Sequence, residues 1–374
     1  MARVSIMFPS YNHEPYVREA LESIYAQTFT DFEIVVSDDA SPDHTYDIIQ
    51  EVCKEKAKLH RFEKNVGASV NGRYCYDHCD SEFIALLNSD DVWEKKHLEK
   101  SVEYLDQHPE CGAVFSWCSL IDENSKVIDN NAAVFRQKNR TKEEWFQHFF
   151  TYGNCLAHPS MVIRKSVYED VGFYSMSMRQ IPDFEEWIRV IKKYEIYVIP
   201  ETLVKHRRCN VGMTNTSSPT VTNSIRDINE HYYMLEHYFD GVSDEYFKKA
   251  FGSMFVNKDA STHEELLCER FFLLQSNVFH LRDVSPIFAF MFFNEIYHLP
   301  GVKETFDEKY NYSIADFHKF GSEVDLYGLS KTAEQQVQGG NTLRDRLRYL
   351  AYAILGKDTN VYKRVMSFFG FSRF

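Results

Sequence analysis

The first third of the chain alternates short apolar runs with helix-like periodicity, and this alternation limits the fold more than any other feature. The apolar runs at Val4–Phe8, Phe32–Val36 and Phe83–Leu87 have the length of buried strands. Each is followed by a segment that is typical of a helix. Strands that alternate with helices form a mainly parallel sheet covered by helices. The sequence therefore predicts an α/β fold.

Polar and acidic residues follow all three predicted strands. Pro9–Asn12 comes after the first, Ser37–Asp39 after the second and Asn88–Asp91 after the third. Open α/β sheets bind ligands beyond the C-terminal ends of their strands. We therefore expect the functional site at this edge of the sheet.

The charge of the chain argues against nucleic acid as a partner. Lys and Arg total 42 against 55 Asp and Glu, a net charge of -13, whereas binding to phosphate backbones requires a positive surface. The N-terminus does not have the pattern of a secretory signal, and no apolar run has the length of a membrane span. We expect a cytoplasmic protein whose eight cysteines are buried apolar residues.

The pattern changes beyond the first third. Thr141–Glu144 has the form of a capping box before an aromatic helix. A helix is predicted over Pro182–Tyr194, followed by a strand at Ile196–Ile199, and from about Ser224 to Phe320 the periodicity is helical almost throughout. The aromatic residues of this stretch suit a core, an acceptor groove or a homo-oligomer interface, and the sequence does not choose among them. The expected regions are an α/β domain over 1–222, a helical region over 223–330, and a linker with a basic amphipathic tail over 331–374.

Four short motifs near the predicted strand ends have an order and spacing that indicate a family. They are Phe8-Pro9-Ser10-Tyr11-Asn12, Ser37-Asp38-Asp39, Asn65-Val66-Gly67 with Asn71, and Asn88-Ser89-Asp90-Asp91. Over about residues 1–210 the chain resembles the inverting family 2 glycosyltransferases of the GT-A fold. The resemblance implies a Rossmann-like nucleotide-diphospho-sugar transferase domain, followed here by the helical C-terminal region. It also implies transfer of a sugar from a UDP-sugar to a hydroxyl group with inversion.

The resemblance implies how the donor nucleotide is recognised. Asp39 would accept a hydrogen bond from the uracil N–H, and Tyr11 would offer an aromatic face within the loop around the base. The alternative for Asp38 and Asp39 is a cluster at the start of a helix, with Ser41 as the cap. The residues implied to bind the nucleotide-sugar are Pro9, Tyr11, Asp39, Asn65, Asn71, Asn88, Asp90 and Arg207.

The segment Asn88-Ser89-Asp90 stands where the family has its DxD motif. A diphosphate in an acidic domain needs a cation, and Mn²⁺ or Mg²⁺ takes carboxylate oxygens, substrate phosphates and water as ligands. Asp90 is the expected metal ligand, and Asn88 would assist through a ribose hydroxyl or a metal-bound water. Because Asn88 replaces an acid, metal affinity should be weaker. Asp91 either supports the site or caps a helix expected near Trp93.

Inverting transfer also needs a general base that takes the proton from the acceptor hydroxyl. The segment Ile181–Arg189 resembles the family segment in which Glu-Asp precedes an aromatic-rich helix, and the match implies that Asp183 is the catalytic base. Pro182 stands where the family has Glu. The alternative places Asp183 in the first helical turn for reasons of the helix dipole. Glu185 and Glu186 are the reserve candidates.

Two further segments match the family more loosely. Lys205-His206-Arg207-Arg208 resembles its closing Tyr-Arg-x-His element, in which only Arg207 carries over. The match implies that the Arg207 guanidinium clamps the diphosphate as a bidentate donor. His158 lies where acceptor-side loops fall, so it either contacts the sugar or is a buried histidine.

The acceptor implied by the resemblance is a glycan or lipid-linked oligosaccharide of surface polysaccharide synthesis. The implied enzyme is a hexosyltransferase or an N-acetylhexosaminyltransferase. One alternative is a catalytically inactive module that binds a nucleotide-sugar or glycan, which Asn88 and Pro182 favour. The other is a sugar nucleotidyltransferase, although the glycine-rich basic loop expected for that class is missing.

The end of the chain differs in charge from the rest. Residues 341–374 carry seven Lys and Arg against two Asp and Glu, and their apolar residues share one helical face. A basic amphipathic helix binds an anionic membrane surface. This would place the enzyme on the inner face of the cell membrane. Docking of the tail on the acidic remainder of the chain is the alternative.

Overall fold

A computed structural model describes residues 2–208, 220–276, 278–281 and 285–325 of this chain. The linker and basic tail expected over 331–374 therefore lie outside the described residues. The described residues divide into two compact units, one up to Phe288 and one from Ala289 to Asp325. The first unit contains the sheet and most of the helices.

The strands of the described residues form one mixed sheet. They are β1 (Val4–Ser10), β2 (Phe32–Asp38), β3 (Lys58–Arg61), β4 (Phe83–Leu86), β5 (Val92–Trp93), β6 (Cys111–Ile121), β7 (Val127–Asp129), β8 (Val162–Arg164) and β9 (Glu195–Arg207). Their order is β3-β2-β1-β4-β8-β6-β9-β5, with β7 paired to β6. Strands β3, β2, β1 and β4 are mutually parallel, whereas β8 runs antiparallel to both β4 and β6.

Helices cover the sheet and continue beyond it. They are α1 (Val17–Tyr25), α2 (Thr45–Cys53), α3 (Ala68–Asp77), α4 (His97–Gln107), α5 (Lys142–Tyr152), α6 (Lys165–Val171), α7 (Pro182–Ile191), α8 (Val221–Glu236), α9 (Asp244–Phe251), α10 (His263–Gln275), α11 (Ser285–Ile296), α12 (Val302–Tyr310) and α13 (Ile314–Glu323). The predicted α/β fold and helical C-terminal region are confirmed.

The centre of the sheet is buried on both faces. In β1 nearly every side chain is buried, as expected for a parallel strand with helices on each side. Val4 pairs with Phe32 of β2 and with Phe83 of β4, so the three strands start in register. Truncation of the fully buried Ile6 to alanine would cost about 2–5 kcal/mol. This register brings the C-terminal ends of β1, β2 and β4 side by side.

The structure corrects the helix start expected near Trp93. Val92 and Trp93 form strand β5, which pairs with β9, and α4 begins only at His97. The Trp93 indole N–H donates to the Pro159 carbonyl at 2.7 Å. This long-range contact and the pairing with β9 hold the segment extended against its local preference.

The aromatic residues of the helical region that belong to the first unit form a core. Phe146 and Phe150 of α5 pack against Tyr238, Phe239 and Phe251. The Tyr238 hydroxyl also donates to the Phe146 carbonyl at 2.6 Å. The core alternative is therefore confirmed for these rings, because they are buried and contact one another and helix α5.

In the second unit, Phe293 of α11 stacks on Phe317 of α13 with ring centroids 3.8 Å apart. Phe306 of α12 lies beside Phe293 at 5.1 Å. Across the described parts of both units, every helix is too short or too polar to cross a bilayer.

Candidate active site

A cavity of about 770 Å³ opens beyond the C-terminal ends of β1, β2 and β4. The structure brings all the residues predicted for the site to its walls, namely Pro9, Tyr11, Asp39, Asn65, Asn71, Asn88, Asp90, Asp183 and Arg207. The edge of the sheet that the sequence pointed to is thus a real concavity. What each side chain can do there depends on its hydrogen-bond partners.

Asp38 and Asp39 at the end of β2 have different surroundings. Asp38 is fully buried and accepts from the backbone N–H and the hydroxyl of Ser41 at 3.0 and 2.5 Å. It also pairs with Arg61 at 3.4 Å. These contacts give Asp38 a structural role at the start of the β2–α2 loop.

Asp39 instead faces the cavity. One carboxylate oxygen accepts from the N–H of Val66 at 2.6 Å and the other from the N–H of Gly67 at 2.9 Å. Burial raises the pKa of this carboxyl group. A carboxylate offers about four acceptor positions, so Asp39 can hold this loop and still accept a bond from a ligand.

Unpaired polar atoms lie in the wall between β1 and α3. Asn71 donates its amide N–H to the Ser10 carbonyl at 3.2 Å. Within the part of the chain that is described, the Asn71 amide oxygen and the Ser10 hydroxyl are buried without hydrogen-bond partners. Buried polar groups are nearly always paired. A polar ligand in the cavity would supply the partners, and Tyr11, which is 40% exposed, lies on the same wall.

Asp90 and Asp91, the two acids after β4, also have different surroundings. Asp91 is fully buried and accepts from the His206 ring at 2.9 Å, the Arg207 N–H at 2.8 Å and the Asn88 amide at 3.1 Å. It therefore joins the end of β4 to β9 and is not the helix cap considered as its alternative role. Asn88 and Asp90 both line the cavity, and the Asn88 amide also bonds Asp91.

The surroundings of Asp90 suit a cation. Its burial, together with the neighbouring Asp91 carboxylate, raises the pKa of Asp90. A divalent ion would relieve both effects. Among the described residues no group of three or more His, Cys, Asp or Glu side chains is arranged to hold a metal. A site with few protein ligands fits Mg²⁺ or Mn²⁺ bound chiefly through substrate phosphates and water.

Asp183 lies in the first turn of α7, after Pro182 at the first helical position. One of its carboxylate oxygens accepts from the Asn154 amide at 3.0 Å, and both residues line the cavity. His158 lines the same end, and burial lowers its pKa, which favours the neutral ring. Asp183 is therefore both oriented by a neighbour and accessible to a ligand.

The reserve candidates for the base are not among the described residues that line the cavity. Glu185 forms an ion pair with Arg189 at 2.7 Å. Glu186 points into the protein and is fully buried. Of the three acids in this segment, Asp183 alone faces the cavity.

The geometry of Arg207 does not support the diphosphate clamp expected for it. Its side chain is fully buried, and the guanidinium donates to the carbonyls of Asp90 and Asp122, both at 2.7 Å. It also pairs with Glu19 at 2.9 Å and lies over the Tyr16 ring. These contacts direct the guanidinium into the protein, where it fixes the backbone that carries Asp90.

The comparisons with known proteins agree with this site. Residues 5–172 match the sequence profile of glycosyl transferase family 2. This segment of the chain belongs to glycosyl transferase family 2. As a member of this inverting family, the protein is a glycosyltransferase that uses nucleotide sugars.

Two curated relatives show the level of similarity. The chain is 28% identical over 216 residues to a putative teichuronic acid biosynthesis glycosyltransferase, TuaG, of Bacillus subtilis, which covers 57% of this chain and 81% of TuaG. It is 29% identical over 209 residues to an uncharacterized glycosyltransferase of Methanocaldococcus jannaschii, covering 54% of this chain and 70% of the relative.

The fold of this family 2 protein is also found in a solved structure. A crystal structure of S. aureus TarS 1-349 in complex with UDP-GlcNAc matches with a TM-score of 0.54 and 17% identity, covering 82% of this chain and 92% of that chain. The predicted GT-A fold is confirmed.

Two residues with contacts at the site were missed by sequence reasoning. The His13 ring lies beside Ser89 and Asp90, and its position directly after Asn12 of the first motif was the available signal. Glu230 of α8 accepts from three consecutive backbone N–H groups, those of residues 179–181, at 2.7–3.0 Å. No local pattern could reveal Glu230, because its partners lie about 50 residues earlier in the chain.

Proposed function

We propose that this protein transfers a sugar from a UDP-sugar to a hydroxyl group of a glycan or lipid-linked oligosaccharide, with inversion at the anomeric carbon. The observation that carries the proposal is the joint presence of Asp39, Asp90 and Asp183 in one cavity. Their roles would be base recognition, diphosphate binding through a cation, and proton abstraction. The family 2 membership supports the reaction class.

The nucleotide end of the donor would lie between β1, β2 and α3. Asp39 is already fixed by the Val66 and Gly67 amides and would accept the uracil N–H, while Tyr11 would cover the base. The unpaired Asn71 oxygen and Ser10 hydroxyl support this position, because they can bond the polar groups of a nucleoside. Pro9 and Asn65 complete the wall.

The diphosphate would lie over Asp90. A divalent ion, Mn²⁺ or Mg²⁺, would be held by Asp90 and would polarise the phosphates and stabilise charge on the departing nucleotide. Arg207 contributes indirectly, since it donates to the Asp90 carbonyl. Asn88 supports Asp91 through its amide.

Asp183 would act as the general base. It would take the proton from the acceptor hydroxyl as that oxygen forms a bond to the anomeric carbon and the bond to the diphosphate breaks on the opposite side. Asn154 would orient the carboxylate through its 3.0 Å bond. A positioned base of this kind contributes about 10²–10⁴-fold to the rate.

The acceptor class is supported by the relatives. TuaG is named as a putative teichuronic acid biosynthesis enzyme, which is consistent with surface polysaccharide synthesis for this protein. Such a role would place the enzyme in the cytoplasm at the inner face of the cell membrane. The basic residues over 341–374 would supply attraction to anionic lipids.

A binding module without activity is the second candidate, favoured by Asn88 in place of the family acid. UDP release from a panel of UDP-hexoses and UDP-N-acetylhexosamines with Mn²⁺, combined with mass spectrometry of the products, separates the two. We expect one donor to be consumed and its sugar to appear on an added glycan or lipid-linked acceptor. Tight UDP-sugar binding with no turnover of any donor would instead support the binding module.

A further inference from the structure

The turn after β1 holds His13 in a defined position. Asn12 has a φ of 56°, in the left-handed region that few non-glycine residues adopt. Its backbone N–H donates to the Ser41 hydroxyl at 2.9 Å, and the next N–H, that of His13, donates to the Thr45 hydroxyl at 2.9 Å. Two neighbouring amides are thus fixed by the β2–α2 segment. This directs the His13 side chain toward the segment that follows β4.

The His13 ring meets that segment through both of its nitrogens. Nδ1 lies 2.8 Å from the Ser89 hydroxyl, and Nε2 lies 3.8 Å from a carboxylate oxygen of Asp90. A separation of 3.8 Å is too long for a direct hydrogen bond. The side chains of His13 and Asp90 are 23% and 19% exposed, and both line the cavity. Nε2 and the carboxylate therefore face each other across a gap that opens to the ligand.

This pairing has the features of a metal-binding pair. A histidine that ligates a metal through one nitrogen usually bonds a neighbour through the other, which fixes the ring and its tautomer. The Ser89 hydroxyl is in place for that bond to Nδ1. Asn88, which stands where the family has an acid, donates its amide N–H to Asp91 at 3.1 Å. The chain thus offers an imidazole beside Asp90 on the cavity side.

We propose that His13 Nε2 and the Asp90 carboxylate together bind the divalent cation that accompanies the donor diphosphate. This inference rests on the proposed function and extends it by a second protein ligand. The site then has a nitrogen and an oxygen ligand from the protein, with phosphate oxygens and water as the others. Imidazole suits transition-metal ions, whereas Mg²⁺ prefers oxygen ligands only. The site therefore prefers Mn²⁺ to Mg²⁺.

The test uses the full chain with UDP and Mn²⁺ as probes. Electron spin-echo envelope modulation of bound Mn²⁺ detects the ¹⁴N nucleus of a ligating imidazole. Calorimetry gives UDP affinity with Mn²⁺, with Mg²⁺ and with EDTA. The variants are His13→Gln and His13→Asp, the second of which restores a carboxylate ligand. His44→Gln is the matched control, because His44 is exposed at the N-cap position of α2 and pairs with Asp47.

We expect His13→Gln to abolish the ¹⁴N modulation and to weaken Mn²⁺-dependent UDP binding by about tenfold or more, with UDP affinity in EDTA unchanged. His13→Asp should regain metal-dependent affinity without the modulation and with less preference for Mn²⁺. His44→Gln should behave as the wild type.

Two results would overturn the assignment and leave the proposed function standing. One is Mn²⁺-dependent UDP binding by the wild type without ¹⁴N modulation. The other is an equal loss of UDP affinity by His13→Gln in EDTA, which would mean direct contact of His13 with the nucleotide. A wild type that binds no UDP under any condition would instead refute both the proposed function and the metal pair.

Discussion

Asp38 and Asp39 are adjacent acids that the fold puts to different uses. Asp38 is enclosed by Ser41 and Arg61, whereas Asp39 bonds the amides of the β3–α3 loop and faces the cavity. The difference arises because successive side chains at the end of a strand point to opposite sides. One acid then supports the turn and the other is available to a ligand.

The Asp39→Asn substitution tests the proposed recognition of the base. The amide N–H₂ of asparagine is a donor, so it would face the Val66 or Gly67 N–H, which is also a donor. The position would also lose an acceptor for the uracil N–H. Loss of a hydrogen bond to a charged group costs about 1.5–3 kcal/mol, so UDP affinity should fall by about 10- to 100-fold. Calorimetry with UDP measures the change.

The exposed Asp47→Asn on α2 is the control for that substitution and should leave UDP affinity unchanged. An unchanged UDP affinity in Asp39→Asn would remove Asp39 from the donor site.

At this scale the sequence predicted which residues reach the cavity but not where each side chain points. The motif matches brought Asp90 and Arg207 to the same site, as the structure shows. The contacts of Arg207 do not favour the clamp expected of it, and its partners, the carbonyls of Asp90 and Asp122 and the acid Glu19, come from three distant segments. Motif spacing contains no information about such partners.

At the scale of the elements, a side chain of α8 holds the N-terminus of α7 in place. Ile181, at the cap position of α7, makes no side-chain cap bond. Glu230 of α8 supplies the missing acceptor, since its carboxylate takes the N–H groups of Arg179, Gln180 and Ile181. A negative charge at a helix N-terminus is also favoured by the helix dipole. The helical region thus fixes the segment that presents Asp183.

We therefore predict that Glu230→Gln lowers turnover and leaves UDP affinity unchanged. A neutral amide has one acceptor oxygen and would leave at least one of the three N–H groups unpaired, so the Asp183 carboxylate would lose its fixed position. We expect kcat to fall by about tenfold, since small misplacements at an active site are costly. Steady-state kinetics and UDP calorimetry measure the two effects.

Glu236→Gln, an exposed position on the same helix, is the control for Glu230→Gln. Equal turnover in both variants would show that α8 does not position the base.

Helix α7 also buries a carboxyl group with consequences for stability. Burial raises the pKa of Glu186 to about 8, against the opposing effects of nearby Tyr168 and Arg189, from an ordinary value of 4.5. The folded protein therefore keeps a proton that the unfolded chain has released. The contribution of Glu186 to the free energy of unfolding is fully present below pH 4.5 and is lost as the pH rises toward 8.

Glu186→Gln should remove this dependence. Between pH 5 and 8 the wild type should lose roughly 1.4 kcal/mol of unfolding free energy per pH unit from this group, and the variant should not. Urea unfolding at pH 6 and pH 8.5 measures the difference. Parallel pH dependence of wild type and variant would show that Glu186 titrates normally in the folded protein.

The sequence predicted elements with local signals better than elements that depend on distant pairing. The capping box Thr141 to Glu144 correctly marked the start of α5, because both of its bonds are local. The two-residue strand β5 was missed, and β9 is longer than the predicted strand at Ile196–Ile199, extending to Arg207. Both depend on pairing between distant segments, which periodicity does not encode.

Over the whole molecule, negative charge is concentrated outside residues 341–374, which have a net charge of +5. This segment lies outside the described residues, so its role remains a prediction from sequence. Each basic residue near an anionic surface contributes about 1 kcal/mol. Deletion of 341–374 should therefore abolish sedimentation with anionic vesicles, and neutral vesicles serve as the control. Vesicle binding that survives the deletion would contradict membrane binding by the tail and would favour its docking on the acidic remainder of the chain.

The α/β fold with its helical extension followed from the sequence because strand and helix periods differ and because polar residues mark the strand ends. The division of the chain at residues 288 and 289 did not follow from it, since it depends on contacts between helices and not on a local pattern. The helices α8–α10 lie in the same unit as the sheet, and this is what allows Glu230 to reach the segment before Asp183.

The central claim is that the cavity carries out inverting transfer with Asp183 as the base. The most direct measurement compares UDP-sugar turnover and UDP affinity in Asp183→Asn and in Glu185→Gln, the neighbouring acid that is paired with Arg189. The account predicts a loss of turnover of about 10²–10⁴-fold in Asp183→Asn with UDP affinity retained, and substantial turnover in Glu185→Gln. Unchanged turnover in Asp183→Asn would contradict it.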